Sequence, residues 1–249
     1  MSALVLALAA GAVVGLALGA LGGGGGVLAV PALIYLLGVE PAAAATASLI
    51  IVVVTSAAGL LAHARDGGVR WGTGALLAAA GLIPAALGGA VAGSLPPALL
   101  TGAFGIVAGA AAVAVLRAGD PAEPGPVRGG PAVTAGAGAG LGAVTGVLGV
   151  GGGFLAVPTL LKAVGLPMRT AVGTALLVVT LNSLAALTTR AGAAAGLDWA
   201  VVAPFTGAAI LGAWDGKRLA GRVRSATLRR IFAYLLLGVA ALMVLDGAL

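Results

Sequence analysis

Polar side chains are so sparse along this chain that its pattern reduces to long apolar runs parted by short polar breaks. The runs at 4–21, 43–62, 72–95, 99–116, 170–189, 199–214 and 231–245 are each close to the roughly 20 residues that cross a bilayer core, and most carry no charge. They predict transmembrane helices. Alanine and glycine fill them more than leucine does, which suits close helix–helix approach in lipid, where packing must replace the missing hydrophobic drive. One stretch breaks the pattern. In "GALGGGGGVLAVPAL", residues 19–33, five glycines interrupt the apolar run and a proline follows five residues later.

Shifting the sequence by 127 residues lays that stretch on "GVLGVGGGFLAVPTL", residues 146–160, with 11 of 15 paired positions identical. The register continues through Gly38/Gly165, Ser56/Ser183 and His63/Arg190. After one inserted residue it resumes at Trp71/Trp199, Gly88/Gly216 and Phe104/Phe232. The chain therefore reads as one module written twice. The halves are 1–116 and 132–249, joined by the charged, Pro/Gly-rich linker "RAGDPAEPGPVRGGP" at 117–131.

Charge placement bears on how the halves are oriented. If every apolar segment crosses once, the 13 basic residues divide 5 against 8 between the two faces. If each glycine-broken segment instead turns back as a re-entrant hairpin, three crossings remain per half and the second half is inverted. All basic residues except Arg190 then collect on one face, 12 against 1. Lys and Arg concentrate in cytoplasmic loops, so the expected fold is an all-α polytopic membrane protein of two inverted repeats, both termini outside. Each repeat is a re-entrant hairpin plus three transmembrane helices.

Irregular backbone at membrane depth survives only where protein or a water-filled cavity satisfies its polar groups, so the paired breaks mark cavities. Glycine reaches φ > 0 and lets a ligand come close to the amides. A half-helix starting at such a break points its free N–H groups and positive end inward, which favours an anion. The half-helices expected are 27–37 and 154–164. Paired interruptions in inverted halves point to the substrate site of a secondary transporter. Gly24, Gly25, Gly26, Gly151, Gly152 and Gly153 are the candidate backbone ligands, with tight helix packing as the competing explanation.

Composition agrees with a bilayer: 61% hydrophobic residues, 8% charged, mean hydropathy +1.18. A secretory signal at the N-terminus is disfavoured, since no Lys or Arg precedes the apolar region and its pattern recurs downstream. Without cysteine, thiolate metal sites and disulfides are excluded, and no metal or cofactor is expected. "GGGVLA" and "GGGFLA" fit a dinucleotide fingerprint in form only, because that motif needs a preceding strand. No G-x-x-x-x-G-K-[ST] loop is present, and no carboxylate sits deep in a span, so neither an ATP-driven pump nor a buried acid relay is indicated.

The doubled glycine cluster followed by Ala-Val-Pro, with "ATASL" at 45–49 and "VGTAL" at 172–176, resembles the TauE/SafE family of sulfite and organosulfonate permeases. The resemblance covers essentially the whole chain. It implies transport of a small, usually sulfur-containing anion across a bacterial inner membrane.

Few polar side chains lie inside the spans. Ser48, Thr55 and Ser56 in the first half, and Thr174, Thr180, Asn182 and Ser183 in the second, follow each hairpin. Hydroxyls in such places commonly bond their own helix or glue neighbours; as matched pairs, Thr55-Ser56 and Asn182-Ser183 equally fit a cavity wall. Asn182 stands out because a buried amide must find partners and can donate to an oxyanion. His63 and Arg190 share one repeat position and are candidates for the pathway mouths, or ordinary interfacial residues. The basic stretch at 216–230 reads as a contact for lipid headgroups, and nucleic acid is not expected as a partner. A small anionic substrate, membrane lipids and a homo-oligomer are the partners considered. The competing function is an anion-selective or small-solute channel built from the same half-helices. An intramembrane hydrolase lacks a nucleophile with an adjacent base.

Overall fold

The computed structural model describes residues 3–21, 26–117, 130–149, 152–190, 197–223 and 225–248. Every regular element among them is helical. The order is α1 (Ala3–Leu21), α2 (Gly26–Pro31), α3 (Pro41–Arg65), α4 (Trp71–Ala92), α5 (Pro97–Arg117), α6 (Pro131–Leu148), α7 (Gly153–Thr159), α8 (Met168–Thr189), α9 (Trp199–Arg222) and α10 (Ser225–Ala248). A π-helical turn continues α2 over Ala32–Leu36, and another continues α7 over Leu160–Val164. Six helices, α1, α3, α4, α5, α6 and α8, are long and apolar enough to cross a membrane. Proline at the first helical position starts α3 and α6, where its missing N–H costs nothing, and the Asp198 carboxylate caps α9 by accepting from Ala200 N at 2.9 Å.

The apolar runs locate every long helix except α6. Its sequence, "PAVTAGAGAGLGAVTGVL", is so diluted by glycine that its hydropathy is the lowest of the six spans, and glycine is a poor helix former. Packing explains it. Gly138, Gly142 and Gly146 lie on Leu77, Gly81 and Ala85 of α4, so close that a Cβ on any of the three would run into an α4 backbone carbonyl. The same arrangement occurs between α1 and α9, where Gly11, Gly15 and Gly19 meet the carbonyls of Phe205, Ala209 and Ala213. This is the small-xxx-small packing of membrane helices, backbone against backbone.

These contacts also fix helix directions. Residue numbers rise together along α1 and α9 and along α4 and α6, so both pairs are parallel. α4 is likewise parallel to α8, through Gly74 on Leu177, Gly81 on Asn182 and Gly89 on Ala186. By contrast α3 runs antiparallel to α8, since Ser56 meets Thr180 while Gly59 meets Leu176. α5 runs antiparallel to α10, with Gly105 on Val244 and Gly109 on Ala240. Lys217 near the end of α9 reaches Ala62 and Asp66 at the end of α3, which aligns those two helices. α1, α3 and α9 thus point one way and α4, α6 and α8 the other. Each major packing of a first-half element on a second-half element recurs when their counterparts are exchanged: α1 on α9 as α6 on α4, and α3 on α9 as α8 on α4.

The half-helices expected at 27–37 and 154–164 are Gly26–Leu36 and Gly153–Val164. Each switches to π geometry just beyond a proline, Pro31 or Pro158. Proline removes one i→i−4 donor and crowds the preceding turn, which favours such a register change. Both half-helices are enclosed: Val27, Phe154 and Val157 are fully buried, and the Phe154 ring stacks on Phe104 of α5 at 6.1 Å.

Opposite effects are expected from two substitutions in α6. Gly142→Val places a side chain against the carbonyl of Gly81 and should destabilise the folded protein by about 1–3 kcal/mol. Gly140→Ala enters open space and should stabilise by about 0.4–1 kcal/mol through helix propensity. Thermal unfolding of the detergent-solubilised variants measures both. Equal midpoints would remove the glycine contact as the reason α6 is helical.

Candidate functional site

Six of the seven polar side chains singled out in the sequence are buried, Ser48, Thr55, Ser56, Thr174, Asn182 and Ser183, and Thr180 is half-buried. Thr46, Thr134 and Thr145 are the other buried polar side chains among the described residues. Where their hydrogen bonds go separates the six. Thr55 Oγ1 donates to its own helix at Ile51 O, 2.6 Å away, and Thr174 Oγ1 accepts from Arg70 N at 3.0 Å. Ser56 and Thr180 share a hydrogen bond of 2.8 Å across the α3–α8 seam. Ser48 Oγ donates to Gly149 O at 3.0 Å, tying α3 to the end of α6.

Asn182 and Ser183 differ. Asn182 is 1% exposed and Ser183 0%, yet Asn182 Oδ1 and Ser183 Oγ have no hydrogen-bond partner among the described residues. Leaving such an atom unsatisfied costs about 1–3 kcal/mol. The amide lies against Gly81 of α4, where a Cβ would come within 2.6 Å of its nitrogen and 2.8 Å of Gly138 O. At the matching place in the first half, Thr55 and Ser56 are both satisfied. Asymmetry between the halves is therefore concentrated in this pair.

The second glycine break is built on left-handed backbone. Gly149 closes α6 at φ 68° and Gly152 precedes α7 at φ 61°, conformations that favour glycine. A side chain at Gly152 would also collide with Thr145 Oγ1. Thr145, four residues before Gly149, was not singled out by the sequence reading; a lone threonine in a glycine-rich helix gives little signal. Gly26 and Gly153 are buried at the first positions of the half-helices. Gly24, Gly25 and Gly151 lie outside the described residues.

The two candidate mouth residues serve helix ends. Arg190 Nη2 donates to Gly146 O and Val147 O, at 2.7 and 3.1 Å, so its charge caps the negative end of α6. His63 Nδ1 lies 3.0 Å from Gly59 O within its own helix. Beside it Lys217 donates to Ala62 O and pairs with Asp66 at 2.6 Å. The hydrogen bond from Lys217, reinforced by its charge, holds the Asp66 carboxyl below its ordinary value. A groove of about 460 Å³ opens there, lined by Leu61, Arg65, Trp214 and Arg218 among others. A second cavity, about 520 Å³ between α1, α2 and α10, is almost wholly apolar and offers nothing to hold a polar solute.

No group of three or more His, Cys, Asp or Glu residues that could hold a metal ion occurs among the described residues. The described polar groups near the two broken helices are neutral hydroxyls and one amide, and the described glycines of the breaks, Gly26, Gly152 and Gly153, are buried. The family model described as sulfite exporter TauE/SafE matches residues 7–243. Two proteins named probable membrane transporter protein, from Xylella fastidiosa strains 9a5c and Temecula1, are each 32% identical over 246 residues, spanning 95% of this chain and 93% of their own length. No solved structure matches the chain. By a family match over residues 7–243 and by relatives similar over nearly all of its length, the chain belongs to the TauE/SafE sulfite exporter family of membrane transporters.

Proposed function

We propose that this protein is a secondary transporter or facilitator that carries a small, sulfur-containing oxyanion, sulfite or an organosulfonate, across the bacterial inner membrane. The observation that carries the reading is the buried, unpartnered hydroxyl of Ser183, next in sequence to the buried Asn182, on the helix that follows a glycine-broken half-helix. A serine hydroxyl and an amide N–H can donate to an oxyanion in place of part of the water it loses on entry. Glycine at the break, Gly24–Gly26 and Gly151–Gly153, lets backbone amides take a share. The family is a transporter family, and its description names sulfite.

In this reading the halves 1–116 and 132–249 are inverted, the linker 117–131 is cytoplasmic and both termini are outside. The opposite directions of α1 and α6, of α3 and α8 and of α4 and α9 support the inversion. With α1 and α3 pointing the same way, the chain between them must return to the face it left, which supports the re-entrant hairpin. Trp71 and Trp199, exposed at the starts of α4 and α9, would then mark opposite interfaces, where tryptophan is favoured. The 12-to-1 distribution of basic residues follows from the same arrangement.

Two experiments test the proposal. Single cysteines on this cysteine-free background, labelled from one side with an impermeant reagent, should place positions 65, 117, 169 and 218 inside and 190 outside. Labelling of 218 from outside together with 190 from inside would overturn the inverted topology. In proteoliposomes, Ser183→Ala should weaken sulfite uptake about ten- to hundredfold, the loss of one hydrogen bond to a charged ligand, at roughly 1.5–3 kcal/mol. Gly152→Val should reach the membrane and fail to bind. Wild-type sulfite flux in Ser183→Ala, or undiminished sulfite binding in Gly152→Val, would sink the proposed site.

A further inference from the structure

The groove at the end of α3 lies apart from the broken helices and has a pattern of its own. On α3, Val54, Leu61 and Arg65 are all exposed, spaced seven and then four residues apart. On α9, Leu211, Trp214 and Arg218 are exposed, spaced three and then four apart. Such spacings keep each set on one helix face. Leu61, Arg65, Trp214 and Arg218 line the same groove of about 460 Å³, so the two faces meet there. Two neighbouring helices that point the same way thus present the same surface, an apolar ladder that ends in an arginine. Arg65 is the last residue of the 25-residue apolar span Pro41–Arg65. That places the arginines at headgroup depth, with Trp214 one turn deeper, where tryptophan is favoured at a membrane interface.

The charges of the groove do not cancel. Its lining holds Arg65, Lys217 and Arg218 against one carboxylate, Asp66. Lys217 and Asp66 neutralise each other at 2.6 Å. The contact of Arg218 with Asp215 is long, 3.5 Å, between two exposed side chains, and holds little. Arg65 makes no hydrogen bond or ion pair among the described residues. What remains is positive charge on two guanidinium groups that share one groove. Guanidinium is weakly hydrated and forks onto the oxygens of a phosphate.

We infer that this groove binds an anionic phospholipid, with the lipid phosphate held between Arg65 and Arg218 and an acyl chain lying along Leu61 and Trp214 toward Val54 and Leu211. The basic stretch at 216–230 supplies only one of the two arginines. The other comes from the first half of the chain, so the site exists only where α3 packs on α9. A lipid held there ties the two helices together from the bilayer side, as Lys217 ties them through Ala62 and Asp66. A zwitterionic lipid brings its own cation to a place that already has two, and gains less. Such a site needs α3 to span the bilayer and is independent of the solute transported.

Trp214 itself reports on the groove. The chain has three tryptophans, and Trp71→Phe/Trp199→Phe leaves Trp214 alone. This parent is reconstituted in phosphatidylcholine bilayers that contain a fixed fraction of either brominated phosphatidylglycerol or brominated phosphatidylcholine. Bromine quenches tryptophan on contact, so the quenching measures which lipid the groove holds. Phosphatidylglycerol should occupy it about tenfold or more over phosphatidylcholine. Arg65→Gln and Arg218→Gln should each lower that ratio about three- to fivefold, and together bring it below about threefold. Millimolar inorganic phosphate at constant ionic strength should leave the quenching unchanged. A ratio below about threefold in the parent, or a preference that survives loss of both arginines, overturns the site. Removal of the preference by inorganic phosphate marks a site for a soluble anion and overturns the lipid as its occupant.

Discussion

Everything else in this structure is arranged around one constraint: two pairs of helices touch backbone to backbone. α1 lies on α9 through Gly11, Gly15 and Gly19, and α6 lies on α4 through Gly138, Gly142 and Gly146. In lipid, apolar side chains gain nothing by leaving their surroundings for one another, so close dispersion contact has to hold helices together. Glycine supplies it by removing the side chain that would keep the axes apart. Because the first helix of each half is clamped to the fourth helix of the other, neither half can complete its packing alone. The result is two three-helix bundles of mixed parentage, α1–α3–α9 and α4–α6–α8.

Between those bundles stands the α3–α8 seam, and its chemistry differs from theirs. It carries the Ser56–Thr180 hydrogen bond and the Leu176 side chain on Gly59, with Gly149 set on the backbone of Ala45 and Ser48 donating to the Gly149 carbonyl at the end of α6. Among the described residues seven of the nine buried polar side chains lie on these two helices, and the other two, Thr134 and Thr145, lie on α6. At the matching repeat positions Thr55 and Ser56 of α3 are satisfied, whereas Asn182 Oδ1 and Ser183 Oγ of α8 are not.

Much of this was legible in the sequence, and the parts that were not have physical reasons. The apolar runs, the repeat at 127 residues and the two half-helices were readable because lipid imposes length and because Gly and Pro interrupt helices wherever they cluster. α6 was only weakly marked by hydropathy, since five glycines in 18 residues lower the mean, three of them, Gly138, Gly142 and Gly146, serving a contact with α4 that is remote in sequence. Ser48 was readable as buried and polar, but not its partner, the carbonyl of Gly149, 101 residues away. Arg190 was readable as a lone cation. Its use as a cap on α6 depends on two helix ends coming together, which no local pattern encodes.

The two basic ties show how the bundles are kept whole. Lys217 of α9 donates to the terminal carbonyl region of α3, and Arg190 at the end of α8 donates to that of α6. Each cation joins two helices of the same bundle and favourably meets the negative end of a helix dipole. Neither crosses the seam. Glycine contacts and a charged cap thus both act within the bundles, while across the seam α3 meets the end of α6, where Gly149 lies on Ala45 and Ser48 donates to the Gly149 carbonyl. Pulling the two sequence halves apart as units would tear α1 from α9 and α6 from α4. The cohesive units of the fold are therefore set by where glycine lies, and they are not the units that were duplicated.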